Sequence, residues 1–131
     1  MILVDTSAWV EFDRATGSAV NLRVRRALEH DEPLATTGIV LLELLAGAQN
    51  ETRALELQQL LARCRFLPLE EPSDYEAAAA LYRACRRAGA TVRRVQDCLI
   101  AAVAIRTGTE LLHRDTDFDV IALHTPLAVA S

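Results

Sequence analysis

No lysine occurs among the 131 residues; all 14 cationic side chains are arginine. That absence excludes phosphate binding through a P-loop lysine, Schiff-base and pyridoxal-phosphate chemistry, and a receiver domain of the lysine-bearing type. Cysteine is scarce as well. Cys64, Cys85 and Cys98 form an odd set without a C-x-x-C pair, so they read as reduced, mostly buried thiols, neither a disulfide frame nor a zinc site. With five glycines, four prolines, 51% apolar and 24% charged residues, the composition excludes disorder, collagen-like repeats and low-complexity tails. Long apolar runs are missing too: Glu43 interrupts the run from Ile39 to Ala46, and Arg106 ends the one from Cys98 to Ile105. Neither approaches the ~18 residues of a membrane span. The opening Met-Ile-Leu-Val-Asp has no basic stretch before its apolar residues, which predicts no secretory signal and a cytoplasmic chain.

What is present suits one domain covering residues 1–131. A chain of this size can bury roughly two-thirds of its unfolded surface, enough for a real core. Ile2 to Val4 reads as a buried strand ending at Asp5, followed by a helix from Thr6 or Ser7 to about Arg14. Ser18 is placed to cap a second helix, and Leu34 to Thr36 suits a second strand. Helices are expected from Gly38 to about Ala48 and from Glu51 to about Cys64, then a third strand from Phe66 to Leu69. Ser73, with Glu76 at the capping-box position, opens a helix that stops at Gly89. Another helix covers roughly Gln96 to Arg106, Glu110 to His113 is a fourth strand, and Leu123 to Thr125 a short fifth. Strands separated by helices predict an α/β fold with a mainly parallel sheet of four to five strands.

Three carboxylates fall where the apolar pattern predicts burial. Glu43 lies inside a helix that is apolar nearly all round, Asp97 opens the apolar helix Cys98 to Ile105, and Asp5 ends the first strand. An ionised carboxylate in such surroundings is costly unless it is paired or binds a metal. A second acidic group, Asp115, Asp117 and Asp119, follows the fourth strand. In open parallel sheets, sites form beyond the carboxyl ends of the strands, where Asp5 and Asp115 both stand. Convergence of Glu43 and Asp97 on that edge would bring four or five acids together. Two carboxylates ~4 Å apart repel by about 4 kcal/mol at an effective dielectric near 20, so such a cluster needs divalent cations or raised pKa values. Oxygen donors without His or Cys favour Mg2+ or Mn2+ over Zn2+.

Each residue also has a plainer reading. Asp5 before Thr6 and Ser7 fits a helix cap, Asp97 fits the cap of the long apolar helix, and Asp115 and Asp117 fit turn positions. Glu43 caps nothing, which leaves a buried ion pair as its alternative. Asp119 reads as a turn or solvent-facing acid, His113 as a satisfied strand-end histidine, and Trp9 with Phe12 as core.

In this order along the chain the acids resemble the PIN-domain ribonucleases, and within them the VapC-type toxins of bacterial toxin–antitoxin pairs. Val4-Asp5-Thr6-Ser7-Ala8-Trp9 is similar to the family's opening strand and first acid, Leu42-Glu43-Leu44-Leu45-Ala46-Gly47 to its helix with the second, and Asp97-Cys98-Leu99-Ile100-Ala101-Ala102 to the third. His113-Arg114-Asp115-Thr116-Asp117-Phe118-Asp119 is similar to the fourth region. The resemblance implies an α/β/α sandwich, Mg2+- or Mn2+-dependent endoribonuclease activity, homodimers, and inhibition by a cognate small antitoxin. It implies metal held by Asp5, Asp97 and the pair Asp115 and Asp117, with Glu43 on a metal-bound water or second metal, and Thr6 or Ser7 orienting a water behind them.

Charge bears on partners. The net charge is −4, but with Asp5, Glu43, Asp97, Asp115 and Asp117 set aside, the 14 arginines face 13 of the 18 acids, a balance of +1. Arg23, Arg25, Arg26, Arg83, Arg86, Arg87, Arg93 and Arg94 offer phosphate contacts. Aromatics make up 5% of the chain, too few for a stacking track along a single strand, so a structured RNA such as tRNA or rRNA is the expected substrate. A concave acidic site also favours a partner's arginine, whose guanidinium bridges two carboxylates. The rival readings are a PIN-type nuclease in RNA processing or DNA metabolism without a toxin role, and a catalytically silent binding module. A haloacid-dehalogenase phosphatase is disfavoured, because Asp5-Thr6-Ser7 lacks a second Asp and there is no lysine.

Overall fold

The computed structural model describes residues 1–131, arranged as four short strands and seven helices. In chain order these are β1 (Ile2–Val4), α1 (Thr6–Asp13), α2 (Ala19–Glu29), β2 (Leu34–Thr36), α3 (Gly38–Ala46), α4 (Glu51–Leu61), β3 (Arg65–Phe66), α5 (Ser73–Arg87), α6 (Val95–Thr107), β4 (Glu110–Leu112) and α7 (Thr116–His124). The sheet order is β3-β2-β1-β4, and every pairing is parallel. β1 sits between β2 and β4, and its Leu3 and Val4 are fully buried, as an unbroken aliphatic run in a sheet covered on both faces requires.

The topology fixes where a site can form. From β1 the chain steps to β2 and β3 on one side, then returns across the sheet to β4 on the other side of β1. With right-handed crossovers, α1 to α4 cover one face while α5 and α6 cover the other. The direction reverses between β1 and β4, so a crevice opens at their carboxyl ends. Helix α6 packs into the core through Cys98, Ile100, Ala101, Ala102, Val103 and Ala104, all buried, and stops at Gly108, whose φ of 64° is the left-handed conformation that suits glycine.

Several expectations need correction. Leu123 and His124 belong to α7, not to a fifth strand; the extra pairing comes later, where Val129 bridges to Leu111 in parallel. The alternating acids Asp115, Asp117 and Asp119 gave this segment the look of a turn, yet Phe118 and Ile121 are buried at helical spacing. The third strand is Arg65–Phe66 rather than Phe66 to Leu69. Ser73 starts α5 without capping it, because Pro72 holds the cap position and no side chain bonds there. Helix α3 is not apolar-buried all round: Val40 and Leu44 face the core, while Leu42 is 68% exposed. Ser18 does cap α2, accepting from the Asn21 backbone N–H at 3.1 Å. The cysteines are free, with Cys85 and Cys98 buried and Cys64 half-buried.

Candidate active site

At the crevice between β1 and β4 the chain brings acids from five places together. Asp5 follows β1 directly and is 2% exposed. It is the helix cap that its sequence position allowed. Its carboxylate caps α1 by accepting from the Ser7 backbone N–H at 3.0 Å, and it accepts from Ser7 Oγ at 2.5 Å. Ser7 Oγ in turn accepts from the Arg114 N–H at 2.8 Å, which ties the end of β1 to the segment after β4. Burial raises the Asp5 pKa against the lowering influence of these Ser7 bonds, with the charge of Asp115 adding to the rise.

Asp97, in the first turn of α6, is 1% exposed, and neither of its oxygens accepts a hydrogen bond. It therefore does not cap the helix, whose cap position belongs to Arg94. Burial, reinforced by the neighbouring Asp117 carboxyl, pushes its pKa up to about 8, with Arg94 pulling the other way. Asp115 caps α7 by accepting from the Asp117 N–H at 2.9 Å. One oxygen each of Asp97, Asp115 and Asp117 can be chosen so that all lie within 4.8 Å of one another. These three oxygen donors are part of the set expected from the sequence, which also held Asp5 and Glu43, and the two bare Asp97 oxygens make the group fit a hard divalent cation.

Asp117 plays a different local part. Its oxygens accept from the backbone N–H of Arg93 at 3.0 Å, the backbone N–H of Arg94 at 3.1 Å and Arg93 Nε at 3.2 Å. Burial opposes its ionisation, but these bonds together hold its pKa below the usual value. Asp117 thus anchors the turn that enters α6. Glu43 approaches from α3, half-buried rather than fully buried as expected, with Oε1 accepting from Thr6 Oγ1 at 2.9 Å. Asp119 is exposed and stands apart, 3.7 Å from His113 Nε2. His113 is satisfied at the strand end, where Nδ1 accepts from the Asp115 N–H at 3.1 Å and the ring leans on Phe118. Trp9 and Phe12 meet edge to face at 6.1 Å between ring centres, as core residues do.

The cations inside this acidic site were not anticipated there. Arg94 Nη2 lies 2.7 Å from Asp115 Oδ2 and 3.5 Å from Asp97 Oδ2, while Nη1 lies 3.6 Å from Glu43 Oε2. Arg93 Nη2 reaches Asp115 Oδ1 at 3.1 Å. The three-residue spacing of Arg94 and Asp97 at the start of a helix was a readable signal. Of the other candidate phosphate ligands, Arg23 is taken up by Glu32 at 2.6 Å, and Arg83, Arg86 and Arg87 are exposed without ion pairs.

Residues 2–123 match the family model described as PIN domain. The chain is 48% identical over 132 residues to Ribonuclease VapC11 of Mycobacterium tuberculosis, covering 100% of this chain and 98% of that protein. It is 34% identical to Ribonuclease VapC51 of the same organism, covering 94% of this chain and 86% of that protein. Among solved structures, VapBC2 from Rickettsia felis bound to a DNA fragment from its promoter superposes with a TM-score of 0.76 at 19% identity, covering 99% of this chain and 98% of that one. FitAcB from Neisseria gonorrhoeae superposes at 0.72 with 25% identity, covering 100% and 97%. A matching family model over nearly the whole chain, close VapC relatives and the acids gathered at the β1–β4 crevice agree: the chain belongs to the PIN-domain family, in its VapC group.

Proposed function

We propose that the protein is a Mg2+-dependent endoribonuclease, with Mn2+ able to substitute, acting as the toxin of a toxin–antitoxin pair on a structured RNA such as tRNA or rRNA. The observation that carries this is Asp97: a carboxylate 1% exposed, with both oxygens unbonded, beside Asp115 and Asp117 at the reversal point of a parallel sheet. A buried acid left this way costs stability unless a cation completes it. The chain's similarity to proteins named ribonucleases supports the substrate class.

In this reading Asp5, Asp97, Asp115 and Asp117 would hold the metal, with Glu43 supporting a metal-bound water or a second metal. When bound, the ion would supply an activated water and charge neutralisation at the phosphate. The chain's own residues prepare that place. Ser7 fixes the Asp5 carboxylate and the Arg114 backbone together. Thr6 fixes Glu43. Asp117, by accepting from two successive backbone N–H groups, sets the turn from which Asp97 projects. Burial of Asp5 and Asp97 keeps their lone pairs away from bulk water. The chain acts as one nuclease unit over 1–131, as a homodimer in the cytoplasm; no helix is long and apolar enough to cross a membrane.

The test is cleavage of total RNA by the purified protein, with ends mapped after incubation in Mg2+, Mn2+ or EDTA. Discrete cleavage sites with either ion and none in EDTA are expected. Millimolar Mn2+ should also raise the melting temperature, since a ligand at 100 times its Kd stabilises the native state by about 2.7 kcal/mol. Intact RNA in both metals would overturn the reading.

The partner is a small antitoxin, a reading supported by likeness to chains solved in VapBC and FitAB assemblies. It would place an arginine at the acidic crevice, where Asp5 is the site acid that no arginine of this chain pairs. Replacing that partner arginine by Ala should weaken inhibition, and the loss should shrink in an Asp5→Asn background. Full additivity in this cycle would show that the two groups do not meet.

A further inference from the structure

Arg94 is an unusual occupant of an acidic crevice. One guanidinium faces carboxylates from three separate elements: Glu43 on α3 at 3.6 Å, Asp97 on α6 at 3.5 Å and Asp115 ahead of α7 at 2.7 Å. Only the last is a hydrogen bond; both Asp97 oxygens remain without a donor. The side chain is 46% exposed, so it enters the cluster from solvent and can leave by rotating its stem. Its backbone, by contrast, is held by the Asp117 carboxylate, which accepts from the Arg94 N–H at 3.1 Å. The arrangement sets one positive charge among three carboxyl groups and hydrogen-bonds one of them.

We propose that Arg94 is a displaceable internal counter-ion: without metal its guanidinium stands in for the divalent cation among Glu43, Asp97 and Asp115, and when the ion enters it swings outward to contact the RNA phosphate. The proposal rests on the divalent-ion reading of the cluster. The two cations cannot share the same carboxylates at full strength, because each would sit within a few ångströms of the other. Displacement costs little at the Arg94 end, since its exposed guanidinium regains water and then a phosphate partner. Arg93, which pairs with Asp115 and Asp117 but reaches neither Glu43 nor Asp97, does not occupy the same position. Arg94 is thus a positioning residue for substrate and a competitor for the metal.

Mn2+ binding to RNA-free protein, measured by titration calorimetry, separates these roles from simple support of the fold. Arg94→Gln should bind Mn2+ with a roughly tenfold lower Kd, the size of a modest coupling between ligands. Its metal-free melting temperature should fall, and its KM for RNA should rise. Arg94→Lys, which keeps a charge but not the fork, should fall between Gln and wild type in Mn2+ affinity, and tests the idea even if the Gln variant folds poorly. Unchanged or weaker Mn2+ binding in both variants, beside normal binding by wild type, would overturn the proposal and leave the nuclease reading standing. Tighter binding in the variants with no RNA cleavage by any form would support the counter-ion role and sink the nuclease. Absence of Mn2+ binding by wild type would remove both.

Discussion

Asp97 stores a conflict in a single side chain: its charge has one arginine at 3.5 Å, no hydrogen-bond donor and almost no water. Its folded pKa of about 8 lies above the ~3.9 of an unfolded aspartate. Between those values the native state holds a proton that the unfolded chain has released. Asp97 therefore contributes stability that is full below about pH 4 and is lost as pH rises through about 8. Asp97→Asn should remove that loss. At pH 8 without metal the variant should melt at the same or a higher temperature than wild type, and its melting temperature should depend less on pH between 4 and 8. Metal binding should move oppositely, because an amide oxygen is a poorer donor than a carboxylate. The Mn2+-induced rise in melting temperature should vanish, and RNA cleavage with it. Were Asp97 a cap, Asn would serve as well and activity would persist, since Asn and Asp cap about equally. Near wild-type cleavage by the variant would refute its role.

Among the elements, those with two agreeing local signals were legible in the sequence. Ser18 ahead of an amphipathic run gave α2, and Gly108 after an apolar run gave the end of α6. Helix α7 was hidden because its cap, Asp115, is the first of three alternating acids that mimic a turn, and only Phe118 and Ile121 carry the helical period to the core. The site followed the same rule. The burial of Asp5 and Asp97 was legible because Asp5 ends one apolar run and Asp97 opens another, and neither has elsewhere to put its charge. Arg94 was legible only in its spacing from Asp97; its place beside Glu43 and Asp115 depends on α3, α6 and the β4–α7 turn meeting, and no local pattern encodes that meeting. Asp74 shows the plainer fate of a buried acid. At 2% exposure it accepts from Arg106 Nε and Nη2 and from the Glu70 N–H, and the Arg106 bonds hold its pKa below the usual range. With its donors supplied by its own chain, Asp74 needs no metal. The bare oxygens of Asp97 mark the contrast with an acid whose charge its own chain satisfies.

Across the whole molecule, charge is distributed in a way the net value of −4 conceals. From Ala77 to Gln96 there is no carboxylate, while Arg83, Arg86, Arg87, Arg93 and Arg94 all fall in this stretch. The first three are spaced for one face of α5, are exposed, and make no ion pair. Arg86 also lies over the Tyr82 ring at 6.0 Å. The chain then turns at Gly89 and reaches the acidic crevice at Arg93 and Arg94. Under the proposed function, a basic run leading into the acidic crevice suits a phosphate backbone delivered to it, with the positive charge guiding approach. Replacing Arg83, Arg86 and Arg87 together by Gln should leave the fold intact, because exposed unpaired side chains usually change stability by no more than about 0.5 kcal/mol. The catalytic rate at saturating RNA should hold, since none of the three touches the acidic cluster. KM should rise, and its dependence on salt should flatten. Each lost phosphate contact removes about 0.7–0.9 from the slope of log affinity against log salt, so three lost contacts should reduce it by roughly 2. Kinetics at a series of KCl concentrations measure this directly. An unchanged KM with an unchanged salt slope would mean that the RNA approaches over another face, and that these arginines only solvate α5.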